Sequence, residues 1–387
     1  MAVFCAEEHL DKIKFFECIL MILSGRKKLF SGFGPISCPR LFSISVEQGV
    51  TAFVWDEIRQ ANSDKDVLDN LCIDRQLKLR WAINVEHIEQ KYAKQKATIA
   101  AMAHFFASHG IRMMILKGYG LSLNYPIPKH RQCGDVDIWL FCVEIDASGK
   151  SHIVNVQTRA DDLLRNELNI KIDEDEHHHT VFYFNGVMVE NHYDFLNVHA
   201  HISNRIIEKR LQSIVSDGME CVTVDGETVY LPSADFNAVF LLRHMAAHFA
   251  AERIGLRHLL DWKYFVEKNY GKIDWSSLIQ FSEEMNMRKF LDCVNGICID
   301  YLGMSDQLLP SFELDVDLEK RVLAEIFSPE FTDKKPCNVG LLRSLSYKFR
   351  RWWANRWKHR IVYREGLVVT FFVQLCSHLM KPKSLKL

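Results

Sequence analysis

Leu116-Lys117-Gly118-Tyr119-Gly120, followed by Gly134-Asp135-Val136-Asp137-Ile138, decides how this chain is read. The apolar run over residues 111–116 predicts a buried strand that ends in a glycine turn. A second strand is expected over 136–143, entered through two aspartates spaced i and i+2. Successive strand side chains point to opposite faces, so Asp135 and Asp137 share one. Two adjacent carboxylates suit a hard divalent cation such as Mg²⁺, which takes oxygen ligands and keeps phosphate oxygens as partners. A glycine turn just upstream lets backbone approach those phosphates.

Around this stretch the chain is ordinary in composition. It has 387 residues, 48% hydrophobic and 25% charged, which argues against disorder. That length suggests two or three domains or subdomains. The N-terminus does not read as a signal peptide, because Glu7, Glu8 and Asp11 precede its apolar run over 15–23, which also holds Glu17. That run is too short to span a bilayer, and no transmembrane segment is expected. Eleven scattered cysteines without a CxxC pair suggest reduced thiols and a cytoplasmic protein. The net charge of −1 hides an asymmetry: residues 341–387 carry eleven Lys/Arg against Glu365 alone, so the preceding 340 carry −11.

Hydrophobic periodicity divides the chain into four parts. Residues 1–109 read as helical, with helices expected over 8–23, 46–61 and 75–108, the last ended by Gly110. Residues 110–232 read as an α/β core. In it, a short helix follows the glycine turn over 119–124, and a helix covers 157–167. Asn185-Gly186 joins strands 180–184 and 187–195, and Asp225-Gly226 joins 221–224 and 228–231. Residues 233–327 read as a helical subdomain, opened by Ser233 as an N-cap and continued by helices over 256–268, 275–286, 288–301 and 317–326. Residues 328–387 are a polar linker and a basic aromatic tail. The expected fold class is α+β: a small mixed sheet with flanking helices, plus N-terminal and C-terminal helical subdomains.

The ordered elements Ile115-Leu116-Lys117-Gly118, Tyr125-Pro126-Ile127-Pro128, Arg131 and Asp135-Val136-Asp137 resemble the nucleotidyltransferases of the polymerase-β-like superfamily. The likeness is to the bacterial branch with an LKG…YPxP..R…DxD pattern, and it covers about residues 75–265. Two departures stand out: Tyr119 follows Gly118 where a Ser is common, and the gap to Asp135 is long. The resemblance implies a third carboxylate on a later strand, and Glu190 in Val189-Glu190-Asn191-His192 fits it. By period two, Glu190, His192 and Asp194 share a face. The implied reaction moves a nucleoside monophosphate from an NTP to a hydroxyl acceptor and releases pyrophosphate. Asp135, Asp137 and Glu190 would be the catalytic, metal-binding carboxylates for Mg²⁺ or Mn²⁺. Lys117, Gly118, Tyr119 and Arg131 would face the nucleotide. The alternative is a non-catalytic nucleotide-binding scaffold or sensor that retains the fold.

Other residues offer competing readings. Arg131 could grip a phosphate or form an ion pair with Asp135 or Asp137. Tyr125 reads as a loop anchor. His177, His178 and His179 could join His192 as zinc ligands, but adjacent histidines on a strand face opposite ways, so a solvated loop is the simpler reading. His179 or His192 could instead support Glu190. His244 and His248 lie one turn apart without the Glu of a zinc-protease motif, and His248 either faces the cleft or packs. Arg257 and Asp261 are expected to pair. In the tail, Phe349, Trp353 and Trp357 among cations suit packing on the acidic body, contact with nucleic acid, or an anionic membrane surface.

Overall fold

The structure, a computed structural model, describes residues 18–20, 22–24, 37–61, 73–174, 178–251, 253–331, 333 and 341–380. Seven strands form one mixed sheet: β1 (Arg112–Ile115), β2 (Val136–Ile145), β3 (Ser151–Asn155), β4 (His179–Phe184), β5 (Val187–His192), β6 (Glu220–Val224) and β7 (Glu227–Leu231). Their order is β4-β5-β2-β1-β7-β6, with β3 paired to the far half of β2. β2 runs antiparallel to β1 and parallel to β5, and β7 runs parallel to β1. The helices α1 (Cys38–Glu47), α2 (Thr51–Ala61) and α3 (Arg75–Ser108) precede the sheet. Within it lie α4 (Tyr119–Ser122), α5 (Gln157–Leu168) and α6 (Ile202–Ile214). After it come α7 (Ala234–Ala251), α8 (Leu256–Asn269), α9 (Trp275–Glu284), α10 (Arg288–Leu302) and α11 (Val316–Phe327). The tail forms α12 (Leu341–Ala354), α13 (Arg356–Val362) and α14 (Leu367–Met380). This is the mixed helix-and-sheet architecture that the hydrophobic pattern predicts.

β2 is central because both of its faces are apolar, as in strands covered on two sides. Val136, Ile138 and Leu140 pack with Ile99 and Phe106 of α3 and with Ala160 and Leu164 of α5. Trp139 and Phe141 point the other way, into a larger core with Phe195 and with Phe236 and Phe240 of α7. Asp137, two residues before Trp139, therefore lies on the face covered by α7. The two hairpins turn as their sequences demand. Asn185 and Gly186 have φ of 50° and 69°, and Asp225 and Gly226 have φ of 47° and 92°, the paired left-handed residues of a tight two-residue turn. Ser233 Oγ accepts from the Phe236 N–H at 3.2 Å and caps α7 as expected.

Three features depart from the pattern. The helix expected over 46–61 is two helices, because Gly49 takes φ +68° and breaks the chain between α1 and α2. β3 has no buried side chain, so it lacks the alternation by which a strand is recognised. α6 hides Ser203, Asn204 and Glu208 on the same side as Ile207 and Leu211, which dilutes its apolar stripe. Most of the helix expected over 8–23 lies outside the described residues, as does much of the linker.

The tail packs on the body through α13. Lys358 is fully buried, its Nζ 2.5 Å from Glu325 Oε1. The Trp357 ring meets Phe249 edge-on at 5.5 Å and carries the Arg321 guanidinium at 3.8 Å. Tyr363 stacks on His201 at 3.7 Å and under Arg243 at 4.4 Å. Phe349 and Trp353, which were also candidates for this packing, are each 53% exposed on α12. They fall on the outer side because α13, not α12, is wedged against α7 and α10. Among the described residues no helix is long and apolar enough to cross a membrane.

Candidate active site

The sheet brings the three carboxylates together at one end. β2 and β5 pair in parallel with Asp137 beside Glu190 and Trp139 beside His192, so these residues share a face. β1 ends alongside: the Leu116 N–H donates to the Asp137 carbonyl at 3.0 Å, which delivers Lys117 and Gly118 to the aspartates. Gly118 takes φ +53°, and a Cβ there would stand 3.3 Å from the Asp135 carbonyl oxygen. The glycine thus allows a close crossing of two backbones as well as the turn.

Asp137 is 2% exposed and holds two partners, Lys117 and His192. Lys117 Nζ lies 2.7 Å from its Oδ1 and His192 Nε2 lies 3.1 Å from the same atom. His192 Nε2 is also 3.6 Å from Glu190 Oε2, and Lys117 rides 5.8 Å from the Phe240 ring centre. The electrostatics follow from this crowding. Burial raises Asp135, and the charges of Asp137 and Glu190 raise it further. Burial works against the charge on Asp137, but Lys117 and His192 outweigh it and hold the carboxyl far below its usual range. Glu190 is likewise left low, since its bond to His192 overcomes its burial. Lys117, half-buried, and His192, buried, are both shifted up by the same carboxylates against the cost of burial. The set is three acids with one lysine and one imidazole, an excess of negative charge that a divalent cation fits. Asp137, Glu190 and His192 place one ligand atom each within 4.8 Å of one another.

Other sequence candidates fall elsewhere. Arg131 does not pair with Asp135 or Asp137. Its guanidinium is buried and donates Nε and Nη2 to Asp261 Oδ1 and Oδ2 at 2.7 and 2.8 Å. Tyr125 donates to Asp261 Oδ1 at 2.5 Å, so it anchors the loop as expected. Arg131 therefore takes the acid expected to pair with Arg257, and Arg257 Nη1 donates to the Gln132 carbonyl at 3.0 Å instead. The reason is depth: Asp261 on α8 is buried, and the planar fork of Arg131 meets it from the β2 approach with two parallel bonds. Tyr119 is 5% exposed and stacks on Tyr92 of α3 at 5.3 Å, so its ring belongs to the core.

The histidines gather around the carboxylates more closely than the sequence suggests. β4 and β5 pair with His179 opposite His192. His178 precedes β4 in a bend, outside the strand's alternation, and its ring centre sits 5.5 Å from that of His192. Burial, then the neighbouring His192 charge, brings His178 down to about 2 and His179 to about 4. From α7, His244 also feels this site: burial and then the Lys117 charge push it well below the usual histidine range. His244 and His248 meet edge-on at 4.5 Å. His177 lies outside the described residues.

No curated protein matches the chain. An antigenic nucleotidyltransferase-like protein from Paracoccidioides brasiliensis has a similar structure over 46% of this chain and 77% of its own. Its identity is 15% and its TM-score 0.31, too distant to inform the site. A family model described as an uncharacterised nucleotidyltransferase matches residues 35–303, which takes in the N-terminal helices, the sheet and α7 to α10. The chain thus belongs to that uncharacterised nucleotidyltransferase family.

Proposed function

We propose that this protein transfers a nucleoside monophosphate from an NTP to a hydroxyl acceptor and releases pyrophosphate. The observation that supports the reading is the side-by-side placement of Asp137 and Glu190 across β2 and β5, with Asp135 and the Lys117–Gly118 turn at the same sheet end. Asp135, Asp137 and Glu190 would hold Mg²⁺ or Mn²⁺. A divalent ion there neutralises phosphate charge and stabilises the attacking and leaving oxygens of an in-line displacement. Gly118 presents backbone without a side chain to the triphosphate. Lys117, now on Asp137, is placed to exchange that partner for a phosphate oxygen. Glu190, low and only part-buried, can accept the proton of the acceptor hydroxyl. The acceptor oxygen then bonds to the α-phosphorus, the bond from that phosphorus to the bridging oxygen breaks, and pyrophosphate leaves.

The acceptor class is open between a sugar or antibiotic hydroxyl, an RNA end and a protein side chain. The exposed Phe349 and Trp353 with Lys348, Arg350 and Arg356 on α12 and α13 form a surface suited to a polyanion, either nucleic acid or an anionic membrane. The purified chain is incubated with α-labelled NTPs, Mg²⁺ and each acceptor class. We expect labelled acceptor and free pyrophosphate, both lost in Asp135→Asn and Asp137→Asn. Label transfer that persists in both variants refutes the assignment. Nucleotide binding without transfer to any acceptor identifies a scaffold.

A further inference from the structure

His192 belongs to two groups of ligand atoms. One is the set with Asp137 and Glu190, and the other is His178, His179 and His192, again with one atom each within 4.8 Å of the others. We propose that His178, His179 and His192, with Glu190 closing the set, form a binding site for a borderline divalent ion of the Zn²⁺ class. The proposal shares Glu190 with the nucleotidyl-transfer reading but draws its other donors from imidazole nitrogens rather than from Asp135 and Asp137.

The donors form a continuous arc. His178 Nε2 is 3.2 Å from His179 Nδ1, His179 Nδ1 is 3.8 Å from Glu190 Oε2, and Glu190 Oε2 is 3.6 Å from His192 Nε2. Ligand atoms about 2.0–2.2 Å from a shared ion stand roughly this far apart. The two imidazole nitrogens that meet here as a hydrogen-bonded pair can also both direct lone pairs at a cation between them. Nδ1 of His192 lies 3.1 Å from the Asp194 carbonyl, which can only accept. That bond places a proton on Nδ1, the outer support typical of a metal-bound histidine, while Nε2, 3.1 Å from Asp137 Oδ1 and 3.6 Å from Glu190 Oε2, gives up its own proton when the ion binds.

The backbone holds the arc in place. The His178 carbonyl accepts from the N–H groups of both Tyr193 and Asp194, at 3.1 and 3.2 Å. The β4–β5 register fixes His179 opposite His192. His178 Nδ1 is buried with no hydrogen-bond partner among the described residues. Three imidazoles select against Mg²⁺, which demands oxygen ligands, and favour a first-row transition ion.

The test uses the full-length chain, freed of any affinity tag and stripped with chelator. Co²⁺ is titrated while its visible absorption is followed, and Zn²⁺ is then added in competition. We expect about one Co²⁺ per chain, displacement by Zn²⁺, and no displacement by millimolar Mg²⁺. Loss of an outer support alone costs about 10–100-fold in affinity, so His178→Asn and His179→Asn should each cost at least about 100-fold. Asp135→Asn should keep the Co²⁺ spectrum while slowing transfer by about 10²–10³-fold, which separates this site from the catalytic reading. His178 lies ahead of the strand, so His178→Asn carries the test if His179→Asn fails to fold by circular dichroism. Absent Co²⁺ absorption, unchanged affinity in His178→Asn, or displacement by Mg²⁺ would each overturn the proposal.

Discussion

Two charged clusters lie along the approach to β2, and they resolve in opposite ways. At Asp261, one acid meets one guanidinium through two parallel bonds and a tyrosine hydroxyl, and every partner is buried. At Asp137, three acids share Lys117 and His192, and burial still raises Asp135. The first cluster is balanced and holds the loop to α8. The second carries surplus negative charge that the fold tolerates without neutralising. A satisfied cluster serves stability, whereas an unsatisfied one is a candidate for binding a charged ligand.

Substitutions should separate the two. Arg131→Met leaves Asp261 buried without its cation and should cost about 3–5 kcal/mol in urea unfolding. Pairing it with Asp261→Leu should recover most of that loss, and a loss under about 1 kcal/mol for Arg131→Met alone would break the contrast. The pH dependence has a definite sign. Burial disfavours the Asp261 charge, but Arg131 outweighs it and depresses the carboxyl. Its stabilisation is therefore complete above the ordinary Asp range and fades as pH falls through the depressed folded value. The stability gap between wild type and Asp261→Asn should shrink in acid.

At the other cluster the effect moves from stability to rate. Asp135→Asn should slow transfer by about 10²–10³-fold, on the order of 2.7–4 kcal/mol. Its stability should hold or rise, because burial and the charges of Asp137 and Glu190 disfavour a charge at this position and the amide carries none. A drop in stability as large as that of Arg131→Met would show that both clusters are structural. In Glu190→Gln the Asp135 carboxyl should titrate lower by carbon NMR, since one repelling charge is gone. Gly118→Ala should have the smallest thermodynamic effect, about 1–3 kcal/mol from its left-handed backbone, read by thermal unfolding.

Much of this arrangement was legible beforehand for local reasons. Alternation placed Glu190 with His192, and Asn185-Gly186 set the hairpin that carries them. The predicted long helix over 75–108 is α3 to the residue. Misreadings arose where the partner is distant in the chain. Arg131 was read against aspartates four and six residues away, but its acid lies 130 residues on. Tyr119 sits where a phosphate contact was expected, yet Tyr92 claims its ring. His178 was dismissed by strand alternation, which does not govern a residue in the bend before β4.

The amino-acid sequence alone determined most of the elements, β3 and α6 excepted, because dihedral preferences and side-chain periodicity act within a few residues. It also carried the family likeness through the ordered LKG, YPxP and DxD elements. Only the tertiary structure decided which charges are spent on one another. That depends on burial and on pairings between β2, β5 and α8, where a desolvated carboxylate takes whichever cation the packing leaves within reach.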